Sequence, residues 1–188
     1  MVRDTTLPDV VPKSHRTPAR ETTNKLFSLS GRTIVITGAG QGLGITLTAA
    51  VLEAGGNVAC LDILCEPSKS EWSSLQRTAK ASAFHVSYHK CDIANEDEVR
   101  RELGDVDIVT QRLGAPFYGL VVCAGIQQQM PALEYAAADF ERILRVNVTG
   151  TFLTAKHAAR IMIKNGVQGS IIMIASMSGN QGIDVIQG

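Results

Sequence analysis

The sequence carries no excess of charge of either sign: 18 Lys and Arg stand against 18 Asp and Glu over 188 residues. A protein living on phosphate contacts needs a basic surplus, so no nucleic-acid partner is expected. Long apolar runs are also lacking. The longest, such as residues 119–126, are strand-sized, short of the roughly 18 uncharged residues of a membrane span, so a soluble protein without a membrane partner is expected. Cysteines are few, and Cys60, Cys65, Cys91 and Cys123 lie in or beside apolar runs. They read as buried thiols in a reducing compartment, not as a disulfide framework. Cys60, Cys65, His85 and His89 spell a stretched C-x4-C and H-x3-H, but the gap between the pairs is too long for a zinc finger, and no metal is expected. What is present is 45% apolar residues with only 19% charged, enough to fill one core, which excludes disorder as the dominant state.

Residues 1–30 differ from the rest. Pro8, Pro12 and Pro18 are half of the six prolines, and apolar periodicity is missing. The stretch reads as a flexible tail. Its arginines and hydroxyl residues fit a mitochondrial presequence, but Asp4, Asp9 and the prolines spoil an amphipathic helix, so a cytoplasmic location is expected.

From Arg32 onward, short β-branched runs alternate with longer stretches of helical period. Strands are predicted at 33–37, 57–62, 84–90, 119–123 and 170–174, and helices at 43–54, 71–81, 96–113 and 139–165. Near-continuously apolar strands alternating with helices imply a parallel sheet covered on both faces: an α/β, doubly wound (Rossmann) domain over 31–179. In the first helix Leu43, Leu47, Ala50, Val51 and Ala54 lie at helical spacing and are expected to face the sheet, with Gly55 and Gly56 supplying a left-handed stop.

Between the first strand and the first helix stands Thr37-Gly38-Ala39-Gly40-Gln41-Gly42-Leu43-Gly44. Glycine allows a tight turn and lets a phosphate reach the main chain, and a helix starting near Leu43 aims free N–H groups at that anion. The acid that answers this loop is Asp62, 18 residues beyond Gly44 at the end of the second strand. Its carboxylate can take both hydroxyls of an adenosine ribose. A ribose phosphate would meet like charge there, worth roughly 4 kcal/mol at 4 Å and an effective dielectric near 20, so NAD is expected over NADP. Gln41 puts no cation in the loop to welcome a phosphate.

The spacing of Gly38, Gly42 and Gly44 resembles the short-chain dehydrogenase/reductase family, and further motifs match in the same order. Asp92, followed by Ile93, stands where the family's acid meets the adenine ring; by itself it could equally be a helix N-cap. Val121-Val122-Cys123-Ala124-Gly125 occupies the family's Asn-Asn-Ala-Gly segment with both asparagines replaced, leaving Ala124 and Gly125 as close-approach residues. Asn147 matches the family's helix asparagine, whose backbone supports a proton-relay water, and Ser176 its catalytic serine. Residues 26–31, 59–63 and 150–159 look like the fungal polyol branch, the D-arabinitol 2-dehydrogenases. The resemblance implies hydride transfer from a sugar alcohol to NAD with release of a ketose, catalytic roles for Ser176 and Asn147, and a homo-oligomer.

It also implies a tyrosine base with a lysine one helical turn on, because a phenol of pKa near 10 is a weak base at neutral pH without a nearby cation. Tyr88, Tyr118 and Tyr135 are the only tyrosines, and four positions on from them stand Asp92, Val122 and Asp139. The expected Tyr-x-x-x-Lys is absent, and residues 180–188 depart from the family's pattern. The sequence therefore reads as a product truncated after the fifth strand, and a dinucleotide-binding chain without turnover stands as the alternative function. The fifth strand is then expected at an exposed edge. Arg100 and Arg101 with Glu96, Glu98 and Glu102 read as a solvated helix face, and His157 as a surface histidine without partners.

Overall fold

The structure, a computed structural model, describes residues 26–176. Most of the expected tail and all of the segment 180–188 lie outside the described residues. Within the described part of the expected tail, the Leu29 N–H donates to Ala54 O at 2.8 Å.

Five parallel strands form one sheet: β1 (Thr33–Thr37), β2 (Asn57–Asp62), β3 (Val86–Lys90), β4 (Phe117–Val122) and β5 (Ser170–Met173), in the order β3-β2-β1-β4-β5. Helices α1 (Gly42–Glu53), α2 (Lys69–Ala81), α3 (Glu96–Leu113), α4 (Ala137–Leu144) and α5 (Thr151–Lys164) connect them. This is the Rossmann-like α/β fold expected from the alternation of strands and helices. The period of two along the strands sorts their side chains onto two faces. Ile34, Ile36, Val58 and Cys60 pack with Ile45, Leu52, Leu75 and Ala79 on the α1 and α2 side. Val35, Ala59, Leu61, Leu120 and Val122 pack with Val99, Leu103, Val106, Ala158 and Met162 on the α3 and α5 side. Both faces are covered, which is why the central strands read as continuous apolar runs.

The helix predicted at 139–165 is a helical run from Ala137 to Lys164 whose middle, Arg145–Gly150, is a wider π turn. β5 lies at one edge of the described sheet, with Ile172 and Met173 about half exposed. No helix among the described residues is long and apolar enough to cross a membrane.

Four expectations need correction. The buried residues of α1 are Gly44, Ile45, Thr48 and Leu52, while Leu43 is 54% exposed. The helix is apolar on most sides, so its sequence period does not single out one face, and Thr48 is buried because its hydroxyl donates to Gly44 O at 3.0 Å. His157 is buried, with Nε2 2.9 Å from Glu96 Oε1, where Lys156 Nζ also binds. The acids of α3 are accordingly not a purely solvated face: Glu98 accepts from the Asp92 N–H and Glu102 meets His89. Among the cysteines, Cys60 and Cys91 are buried, Cys65 is exposed and Cys123 lies between.

Candidate functional site

The C-terminal ends of the strands open into a cleft of about 330 Å³. Strand ends around a change of crossover direction are where open α/β sheets place ligands. Its walls include Gly38 and Gln41 from the loop after β1, Leu43 and Gly44 from the start of α1, Asp62 from β2, and Asp92 and Ile93 from the loop after β3. Cys123, Ala124 and Gly125 come from the loop after β4.

The glycine loop is built for close approach. A Cβ on Gly38 would stand 2.7 Å from Ala124 Cα, and one on Gly44 would stand 2.1 Å from Gly38 O, so both positions are closed to larger residues. Gly42 has φ +57° and open space around its missing Cβ. The N-cap Gln41 makes no side-chain cap bond, and the first turn of α1 holds no acid. This leaves room and free backbone donors for an anion at the start of a 12-residue helix.

Asp62 is buried and fixed from two sides: Oδ2 accepts from the Gly40 N–H at 2.8 Å and Oδ1 from the Leu64 N–H at 3.0 Å. A carboxylate has lone pairs to spare for two further donors. Asp92 is not the N-cap of α3. That role belongs to Asn95, whose Oδ1 accepts from Asp97 N and Glu98 N, while Asp92 Oδ1 accepts from Ala94 N. Glu98 Oε2 accepts from the Asp92 N–H at 2.9 Å, holding Asp92 on the cleft wall.

Thr37 and Gly42 are not on the wall. Thr37 is fully buried, and its Oγ1 accepts from Cys123 N and Ala124 N at 3.2 Å each, so it fastens the β4 loop to β1 behind the cleft. Asn147, in the π turn, is also off the wall, but its side chain grips Ile126, which is on it. Ser176, the last described residue, lies three positions beyond β5, is exposed, and is not part of the cleft lining. Ile63, Leu64, Cys91, Ile126 and Val146 line the cleft and were missed. They are ordinary apolar residues whose only sequence signal is adjacency to Asp62, Asp92, Gly125 and Asn147. Among the described residues no group of three or more His, Cys, Asp and Glu could hold a metal ion.

The profile of the short chain dehydrogenase family matches residues 32–187. A short chain dehydrogenases/reductase, notP', of Aspergillus versicolor is 42% identical over 164 residues, covering 86% of this chain and 55% of the relative. The D-arabinitol 2-dehydrogenase [ribulose-forming] of Scheffersomyces stipitis is 34% identical, covering 81% of this chain and 57% of the relative. The chain thus spans little more than half the length of these relatives. Among solved structures, NAD+-bound xylitol dehydrogenase superposes with a TM-score of 0.69 at 28% identity, covering 82% of this chain and 56% of that one. A gluconate 5-dehydrogenase from Burkholderia cenocepacia in complex with NADP and tartrate gives 0.72 at 31% identity, with 86% and 60% covered.

Proposed function

The chain belongs to the short-chain dehydrogenase family of NAD(P)-binding oxidoreductases, and on that premise we propose that its cleft takes NAD in preference to NADP and serves oxidation of a secondary alcohol of a small polyol to a ketose. The observation that carries the reading is Asp62, a buried carboxylate held by the backbone of Gly40 and Leu64 at the same cleft as the glycine loop. The cleft fits the dinucleotide. Gly38, Gly42 and Gly44 and the open start of α1 would hold the pyrophosphate, Asp62 the ribose hydroxyls, and Asp92 and Ile93 would lie beside the adenine.

The bound nicotinamide supplies the hydride acceptor. The chain's part is to place the alcohol and manage its proton. Ser176 is the residue for the substrate oxygen, through its hydroxyl. Asn147 is assigned to the catalytic machinery too, and its visible work is to hold the loop carrying Ile126. The arabinitol and xylitol dehydrogenases among its relatives support a polyol as the substrate class. The same reading has the protein acting in the cytoplasm as a homo-oligomer.

One sequence observation favours a second reading, dinucleotide binding without turnover. None of Tyr88, Tyr118 and Tyr135 has a lysine four positions on, and without such a base the alcohol proton has no acceptor of the expected kind. Two measurements separate the readings. Titration with NADH, followed by quenching of Trp72, the only tryptophan, tests binding. Formation of NADH from NAD with D-arabinitol or xylitol tests turnover. Binding with turnover supports the first reading, binding with background turnover the second, and no binding of NADH overturns both.

A further inference from the structure

Two groups crowd the Gly40 side of the Asp62 carboxylate. The Gly40 N–H donates to Asp62 Oδ2 at 2.8 Å. A Cβ built on Gly40 would lie 3.0 Å from Asp62 Cγ and Oδ2 and 3.1 Å from the Tyr88 hydroxyl oxygen. One carbon added at Gly40 would thus meet both the carboxylate and the Tyr88 hydroxyl, although neither Gly40 nor Tyr88 is among the residues lining the cleft. Tyr88 is itself held twice. Its O–H donates to Leu64 O at 3.0 Å, and its ring meets Trp72 edge-on with centroids 5.5 Å apart. Leu64 in turn donates its N–H to Asp62 Oδ1, and the Ser68 N–H donates to Gly40 O at 2.9 Å, so the loop between β2 and α2 is closed around the acid. Burial and then the charge of Asp62 push the Tyr88 phenol up to about 12.

We propose that Tyr88 is a second determinant of cofactor choice: its phenol occupies volume beside Asp62 that a ribose 2′-phosphate needs, so the phosphate is refused for want of room as well as by like charge. The proposal rests on the reading of Asp62 as the ribose acid. A phosphate is bulkier than the methyl group that Gly40 already cannot carry without displacement. Asp62→Asn removes the charge at nearly unchanged volume, although its single amide oxygen can accept from only one of the Gly40 and Leu64 N–H groups. A small residue at 88 opens the space.

The test is calorimetric titration of the chain with NADH and with NADPH, in the parent, Asp62→Asn, Asp62→Asn/Tyr88→Phe and Asp62→Asn/Tyr88→Ser, each first checked for cooperative thermal unfolding. The parent is expected to prefer NADH by roughly 100-fold or more, and Asp62→Asn to keep a preference of about tenfold. The double variant with Ser brings the two nucleotides within about threefold, and the one with Phe, which loses only the hydroxyl, falls between. Parity in Asp62→Asn alone overturns the role of Tyr88 and leaves the reading of Asp62 standing. A parent without preference overturns the reading of Asp62 itself. If the Ser variant does not fold, the Phe variant decides: a ratio unmoved from that of Asp62→Asn overturns the proposal.

Discussion

Asn147 holds Ile126 by both of its backbone groups: Oδ1 accepts from the Ile126 N–H at 2.9 Å and Nδ2 donates to Ile126 O at 2.8 Å. One amide side chain thereby ties the π turn to the loop after β4, 21 residues away in sequence. Asn147→Ala is expected to cost about 1–2 kcal/mol in urea unfolding and to speed hydrogen exchange at the Ile126 amide. Asn147→Asp should do no better, because it loses the donor and sets a carboxylate oxygen against the Ile126 carbonyl. Unchanged exchange at Ile126 in Asn147→Ala would remove this role.

Three glycines separate crowding from strain and from helix propensity. In Gly44→Ala the new carbon meets only backbone, at 2.1 Å from Gly38 O, so the loop must move and a loss of about 3 kcal/mol or more is expected. Gly42→Ala meets nothing within 4 Å and bears only the strain of φ +57°, about 1 kcal/mol. Gly104→Ala, inside α3 with open space around it, should stabilise the protein by about 0.5–1 kcal/mol. Denaturant midpoints of the three variants check the order.

Hydrogen bonds from Lys156 and then from His157 hold the Glu96 carboxyl down to about 2, against an ordinary value of 4.5. A group whose pKa is lowered by folding stabilises the fold above its unfolded value, and the contribution is lost as pH falls toward its folded value. Glu96→Gln should therefore unfold at lower urea than the parent near pH 6. The gap should close between pH 4.5 and pH 2. A gap that stays constant over this window would show that Glu96 does not contribute through its charge.

The cysteines should divide by accessibility. Burial pushes the Cys60 and Cys91 thiols up to about 12 and also raises that of Cys123, whereas Cys65 is exposed. Because the thiolate is the reactive species, a disulfide reagent at pH 8 should modify one thiol fast in the native protein, and Cys65→Ser should abolish that phase. Cys123, on the cleft wall, should react slowly and more slowly still with NADH present. A fast phase that survives Cys65→Ser would contradict the assignment.

Where the sequence signal is local, the reading of it holds. β1, β2 and α3 have the predicted bounds, because short buried apolar runs and an Asn95 cap with Gly114 at the far end are written in neighbouring residues. Where the cause is distant, the reading fails. His157 looked unpartnered because Glu96 lies 61 residues earlier and meets it only once α3 packs on α5. The face of α1 was misjudged because it depends on Gly44 fitting against Gly38 O, a contact that no periodicity records. The cleft was legible through its glycines and Asp62, whose spacing follows from the chemistry of a dinucleotide. Tyr88 was not: it read as one more strand residue, and its place beside Asp62 comes from the pairing of β2 with β3.

The π turn at Arg145–Gly150 also sets the phase of everything after it. One extra residue in a turn rotates the following helix by about 100° relative to an uninterrupted α-helix. The 14 residues of α5 are thereby aimed so that Ala155, Ala158 and Met162 pack into the core against the sheet. Substitution within the turn is a local event, but deletion of one residue is not: it would swing the whole of α5 to a different face. The length of this segment is therefore constrained by the core, independently of which side chains it carries.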